Sequence, residues 1–161
     1  MSWTLEELLP HRPPMVLVDA VESFDPEAKR LTARVTVTPA QIFHFDPGAD
    51  GAEAGVPNWV AIEYMAQTCA ALAGYWDRHV APDQPARPGL LLGTRKLTLG
   101  LDRFAAGQVY HVTAVNAFSD SDAASFECFI ADDSGTEVAS AILSAYRPPD
   151  LETFLKEQAR Q

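Results

Sequence analysis

Residues 57–74 read PNWVAIEYMAQTCAALAG, and this stretch decides the fold. It has the length of a buried helix, and apolar side chains occupy nearly every side of that helix, which is typical of a helix enclosed by protein. The run is too short and too interrupted to span a bilayer, which requires about 20 apolar residues. We therefore expect a central helix from residue 57 to about residue 77.

The only charged side chain in this stretch is the carboxylate of Glu63. An ionised carboxylate among apolar side chains is unfavourable, and burial of this kind raises the pKa of a carboxylic acid. His44 lies upstream, in the loop sequence FHFDPG that leads towards the helix. A histidine and a protonated carboxylic acid, brought together, form an acid–base pair, so His44 and Glu63 are the candidate catalytic residues.

The remaining periodic segments predict strands, because β-branched and apolar residues alternate with polar ones in them. The two candidates before the helix and the four after it are residues 15–21, 31–37, 90–101, 109–118, 124–131 and 138–147. Strands segregated around a single helix indicate an α+β fold, in which an antiparallel sheet wraps around the helix. This description is the hotdog fold. We expect residues 1–161 to form one such domain, with a short N-terminal helix capped by Thr4 and a surface helix near residues 150–159.

The composition excludes several classes of function. The net charge is −10 and the 12 Lys and Arg form no long basic stripe, which argues against nucleic acid and membrane surfaces as partners. The first ten residues carry Glu6 and Glu7 where a signal peptide is basic and then apolar, so a cytoplasmic protein is expected. Cys69 and Cys128 are expected to be reduced core residues, and no spacing indicates a metal site.

Three segments, taken in order, resemble the FabZ-type 3-hydroxyacyl-[acyl-carrier-protein] dehydratases. LLPHRPPMVLVDAV at residues 8–21 resembles the opening motif of that family, and His44-Phe45 with Pro47-Gly48 resembles its His-Phe-Pro-Gly loop. Val56-Pro57 followed by IEYMAQ resembles its helix entrance. The resemblance runs from about residue 5 to residue 147, nearly the whole chain.

The resemblance implies a role for four residues. The catalytic histidine of the family falls on His44 and its catalytic acid on Glu63. The backbone N–H that polarises the thioester falls near Asn58, where the family usually has glycine, and Gln67 matches a glutamine one turn after the acid, so Asn58 and Gln67 are the candidate substrate-binding residues. The implied reaction removes water from a 3-hydroxyacyl thioester held on acyl carrier protein, and it needs neither a metal nor an organic cofactor.

Two departures from the family pattern concern the loop. His44 and Glu63 are 19 positions apart, several more than is typical, and Asp46 interrupts the His-Phe-Pro-Gly motif. The extra residues lie between 46 and 55. These features resemble the divergent dehydratase-like proteins of aryl-polyene pigment clusters, which points to a fatty-acid-like, polyketide or polyene pathway.

Alternative functions remain open at this stage. A hotdog thioesterase would use the same acid to orient water, and a non-catalytic subunit would complete a heterodimer with an active hotdog paralogue. In related dimers the histidine and the acid come from opposite protomers, so we expect a dimer, either with itself or with a paralogue.

The sequence also suggests roles for several polar residues outside the acid–base pair. His11-Arg12 is interpreted as a structural bracket, and His111 as a surface residue. Arg95-Lys96, with Arg87 and Arg103, would receive an acidic carrier protein or form a solvated strand edge.

Overall fold

The computed structural model describes residues 3–48 and 53–161. Three helices and eight strands occur in them. The helices are α1 (Leu5–Leu8), α2 (Ala61–Val80) and α3 (Leu151–Gln158), and a 3₁₀ turn over Asn58–Val60 precedes α2. The strands are β1 (Ala20–Asp25), β2 (Arg30–Thr36), β3 (Gly55–Pro57), β4 (Leu90–Leu99), β5 (Arg103–Ala105), β6 (Val109–Ser119), β7 (Ala123–Asp132) and β8 (Glu137–Tyr146).

Six strands form one antiparallel sheet in the order β1-β2-β6-β7-β8-β4. Helix α2 packs against β2, β6 and β7, and α1 packs on α2. Strands β3 and β5 pair separately, next to the start of α2. The expected hotdog arrangement of a sheet around one long helix is confirmed.

The boundaries of two predicted elements were wrong, and two short strands were not predicted. The first strand begins at Ala20 rather than at residue 15, because residues 15–17 bond to a helix side chain instead of to a neighbouring strand. Strands β3 and β5 were not predicted, since three residues are too few to show a period. The central helix begins at Ala61 and continues three residues beyond Asp77.

Helix α2 has two different apolar faces. The expectation that protein encloses the helix on every side was wrong. Tyr64 and Met65 are fully buried against the sheet. The opposite face carries small side chains that are only partly buried, namely Ala66, Ala70 and Ala73. One face therefore builds the core, and the other leaves space beside the helix.

Helix α1 is held against α2 by a close backbone approach. Thr4 and Glu7 form the expected capping box at its start. At its end, a Cβ placed on Gly74 would lie 2.7 Å from the carbonyl oxygen of Leu8, so only glycine permits this approach without a shift.

The two cysteines are free and buried, as expected, with their sulfur atoms 3.4 Å apart. Burial raises the pKa of the Cys69 thiol. None of the described helices is long and apolar enough to cross a membrane.

His111 is more than a surface residue. Its Nδ1 lies 2.7 Å from Glu22 on β1, and its Nε2 lies 2.9 Å from Asp133 in the turn after β7. These two carboxylates raise the pKa of His111, Asp133 contributing most, against a small opposing effect of burial.

Replacing Met65 with alanine should destabilise the fold by about 2–5 kcal/mol, because the side chain is fully buried and leaves a cavity. Val80→Ala, at the exposed end of the same helix, should change the free energy of unfolding by less than about 0.5 kcal/mol. Urea denaturation measures both. A loss below about 1 kcal/mol for Met65→Ala would contradict the packing described.

Stability should depend on pH through His111. A raised pKa in the folded state gives stabilisation that is complete below the ordinary value of 6.5 and is lost as pH rises through the folded value. His111→Gln should therefore cost more stability at pH 6 than at pH 9, by less than about 1 kcal/mol because the cluster is solvated. Urea midpoints at both pH values measure this, with His79→Gln as the control. An equal loss at both pH values would mean that the carboxylates do not act on the imidazole charge.

Candidate active site

A cavity of about 430 Å³ runs along the small-residue face of α2. Glu63 and His11 line one end of it, and Asp77 lies at the other end. Asp77 lies 14 positions after Glu63, which corresponds to about 21 Å along the helix. Strands β7 and β8 supply apolar walls through Phe126 and Leu143. The cavity has the dimensions of a site for an elongated molecule with Glu63 at one end.

Glu63 is half-buried, its side chain 32% exposed, and it is held by two neighbours. Its Oε1 accepts a hydrogen bond of 2.9 Å from Gln67 and lies 3.4 Å from Nε2 of His11. Its Oε2 has no hydrogen-bond partner among the described residues. One carboxylate oxygen is therefore fixed and the other is available to a bound molecule.

The pKa of Glu63 was expected to be raised, and this expectation was wrong. The interaction with the His11 imidazole lowers the pKa of this carboxyl, partial burial opposes that effect, and the hydrogen bond from Gln67 reinforces it. The sequence argument counted the apolar neighbours in the helix, but His11 arrives from a segment 52 positions earlier.

Gln67 is fully buried and all its polar groups are used within the chain. Its Nε2 donates to the carbonyl of Met15 and to Glu63, at 2.6 and 2.9 Å, and its Oε1 accepts from the N–H of Leu17 at 2.8 Å. The expectation of a substrate-binding role does not fit this position. Gln67 instead holds Glu63 and ties α2 to residues 15–17.

His44 lies just before the base of the long loop. Phe45 and Gly55 exchange two backbone hydrogen bonds, of 2.8 and 3.0 Å, and so close the loop immediately after His44. The departures at residues 46–55 lie beyond this closure, and residues 49–52 are outside the described residues. His44 itself lies before this closure. Its Nε2 is buried with no hydrogen-bond partner in the described chain.

The structure does not bring His44 and Glu63 together within one chain. His44 is absent from the residues that line the cavity, and no hydrogen bond joins the two side chains in the parts of the chain described. If both act on one molecule, a second subunit has to supply one of them.

Asn58 lies at the start of the 3₁₀ turn, as the resemblance implied. Its side chain donates to the carbonyl of Leu101 at 2.9 Å, which fixes the turn against the chain between β4 and β5. The beginning of a helix presents backbone N–H groups and a partial positive charge. Asn58 therefore holds those donors in place through its side chain.

His11 is the site residue that sequence reasoning missed. The interpretation as a bracket fits Arg12, which donates to the carbonyls of Leu9 and His11. The side chain of His11 instead points at Glu63. The signal was present in the sequence, because His11 belongs to the family-like opening motif, but its neighbour on α2 is far along the chain. No cluster of three metal-ligating side chains occurs in the described residues.

The chain belongs to the ApeP-like family. The family model described as ApeP dehydratase matches residues 3–156, which is nearly the whole chain.

Relatives and solved structures agree with this assignment. The 3-hydroxyacyl-[acyl-carrier-protein] dehydratase FabZ of Chlamydia pneumoniae is 38% identical over 95 residues, which are 57% of each chain. The chain thus spans little more than half the length of this curated relative. The dehydratase heterocomplex ApeI:P of Xenorhabdus doucetiae superposes with a TM-score of 0.82 and 27% identity, over 96% of this chain and 97% of that chain.

A more distant structure has the same fold. The PaaI protein of the E. coli phenylacetic acid degradation operon superposes with a TM-score of 0.56 and 15% identity, over 79% of this chain and 81% of that one. At this identity the likeness concerns the hotdog architecture alone.

Proposed function

We propose that this chain is a subunit of a dehydratase that removes water from 3-hydroxyacyl thioesters carried on acyl carrier protein, in fatty-acid-like or polyene biosynthesis. The observation that carries the proposal is Glu63, placed at the end of an elongated cavity with Oε2 left for a ligand. Membership of the ApeP-like family supports the choice of reaction.

The reaction requires a base at C2 and an acid at the C3 hydroxyl. In the proposed mechanism Nε2 of His44 takes the C2 proton, the electron pair of that bond becomes the C2=C3 double bond, and the C3–O bond breaks. Glu63 gives a proton to the departing hydroxyl, which leaves as water. Nε2 of His44 has no hydrogen-bond partner in the described chain, so a lone pair is free for proton abstraction once the imidazole turns to bring this buried atom to the substrate.

The thioester oxygen gains negative charge as C2 is deprotonated. Backbone N–H groups at the start of a helix stabilise such charge, and the turn at Asn58 presents them in a fixed position. The acyl chain beyond C3 would lie along Ala66, Ala70 and Ala73, whose short side chains leave the room for it.

A second hotdog subunit completes the site in this proposal. Strand β4 is at the edge of the six-stranded sheet, and Leu91, Leu92 and Leu97 on it are 45%, 65% and 39% exposed. An apolar edge strand with unpaired backbone groups is a surface for pairing with another chain. The similarity to a dehydratase heterocomplex favours a paralogous partner over a second copy.

Acyl carrier proteins are acidic, so cationic side chains are candidates for binding one. These side chains differ in whether they already interact within the chain. Arg103 pairs with Glu53, and Arg87 donates to the carbonyl of Arg147, so both are engaged within the chain. Arg95 and Lys96 are exposed on β4 and make no ion pair in the described residues. We propose that these two contribute to carrier-protein docking.

Replacing His44 with alanine or Glu63 with glutamine should each reduce kcat by about 10²–10⁴-fold, because each change removes one proton-transfer group. The double variant should be little worse than either single variant, since the two groups act in one step. The assay follows the loss of one water mass from a 3-hydroxyacyl carrier-protein series, with the chain alone and co-expressed with a FabZ-type partner.

His79→Ala serves as the matched control, because His79 is exposed near the end of α2 and does not line the cavity. Wild-type turnover in Glu63→Gln would contradict the proposed acid role. Release of free acid from the thioester, without dehydration, would instead indicate a thioesterase.

Introducing a charge on the edge strand should prevent assembly. Leu92→Glu is expected to shift the protein from dimer to monomer at micromolar concentration, because a carboxylate would be buried without a partner in the joined sheet. Leu155→Glu is the control, since Leu155 is 50% exposed on α3. Sedimentation velocity measures both. A wild-type monomer with full dehydratase activity would contradict the two-subunit site.

A further inference from the structure

Among the described residues, the side chain of His11 forms one ion pair, and its partner is Glu63. Nε2 of His11 lies 3.4 Å from Oε1 of Glu63, and Nδ1 is buried without a hydrogen-bond partner in the described chain. The imidazole therefore does not brace the N-terminal turn, which Arg12 holds through backbone carbonyls. The ion pair therefore places the imidazole where it can act on the proposed acid.

We propose that His11 is the positioning residue of Glu63, holding Oε1 through Nε2 and carrying the proton that the carboxyl passes to the leaving hydroxyl. This inference rests on the proposed function. In this inference the two carboxylate oxygens of Glu63 have different roles. Oε1 receives His11 and Gln67, and Oε2 faces the substrate.

The proton balance explains why a second group is needed. A carboxyl whose pKa lies below its ordinary value is ionised at neutral pH, so Glu63 has to receive a proton before it can act as an acid. In the paired state, the Nε2–H bond of a His11 imidazolium breaks and an O–H bond forms on Glu63, which leaves His11 neutral. The carboxyl then turns about its Cγ–Cδ bond so that the protonated oxygen faces the substrate. That O–H bond breaks, and the proton leaves with the hydroxyl as water. The His11 side chain is 28% exposed, so it regains a proton from solvent hydronium.

Other charged groups share the cavity but do not contact His11. They are Lys29, Asp77, Arg87, Asp120, Asp122 and Arg147. Asp77 is paired with Arg147, at the opposite end of the cavity. Arg12, next in the chain, bonds to backbone carbonyls. Among the described residues, Glu63 is the only group in an ion pair with His11.

The test compares His11→Gln with His79→Gln in the assembled dehydratase. Glutamine keeps a donor near Glu63 but cannot carry a proton, so it separates hydrogen bonding from proton supply. We expect kcat at pH 8 to fall by about 10–100-fold in His11→Gln with KM nearly unchanged. The alkaline limb of the kcat profile should move to lower pH in His11→Gln, because no imidazole proton is left to supply the carboxyl.

A second measurement does not depend on turnover. Titration of the Glu63 carboxyl by carbon-13 NMR, on the chain itself, should move to higher pH in His11→Gln, because the cationic neighbour is gone. His79→Gln should leave both the titration and the profile unchanged.

The outcomes separate this inference from the proposed function. A wild-type kcat profile in His11→Gln overturns the proton-carrying role, and an unchanged carboxyl titration overturns the pairing. If the wild-type complex does not dehydrate the substrate series at all, the proposed function fails and the proton-carrying role falls with it. The carboxyl titration still decides whether His11 controls Glu63.

Discussion

The buried amide of Gln67 is the contact on which the fold and the site both depend. An unsatisfied polar group at such a position would be unfavourable, and here the amide bonds to Met15, Leu17 and Glu63. Two of these bonds replace the ladder that residues 15–17 would otherwise make in a sheet, so the strand begins later, at Ala20. The same arrangement brings the segment that carries His11 over the first turns of α2. The third bond fixes Glu63, so one side chain links the path of the N-terminal segment to the geometry of the carboxyl.

The sequence predicted well the features that depend on local pattern. Alternation located β2, β6, β7 and β8 to within one or two residues, and the Thr4–Glu7 spacing located α1. What it could not predict depends on contacts between distant segments. The apolar run in α2 does not reveal that one face meets a sheet and the other a cavity, because Ala66 and Met65 are both apolar. The pKa of Glu63 was misjudged for the same reason, since its main determinant, His11, comes from another part of the chain.

The size of the side chains on α2 converts a structural helix into the wall of a site. Tyr64 and Met65 fill the sheet side, where close packing contributes stability. Ala66, Ala70 and Ala73 on the other side give up packing and leave the cavity. This division places Glu63 at the junction of the two faces, partly buried and still accessible. The Phe45–Gly55 pair joins the two ends of the loop next to His44.

Three features of this structure are explained if the proposed site needs a second subunit. Nε2 of His44 is buried without a partner in the described chain, and such a group is unfavourable unless a ligand or another subunit satisfies it. Strand β4 exposes three leucines at the edge of the sheet, where pairing with a second chain would remove them from water. Glu63 faces a cavity that His44 of the same chain does not reach. All three features have one physical resolution, in which joining the edge of the sheet to a related subunit covers the leucines and brings a histidine from one chain to the carboxyl of the other.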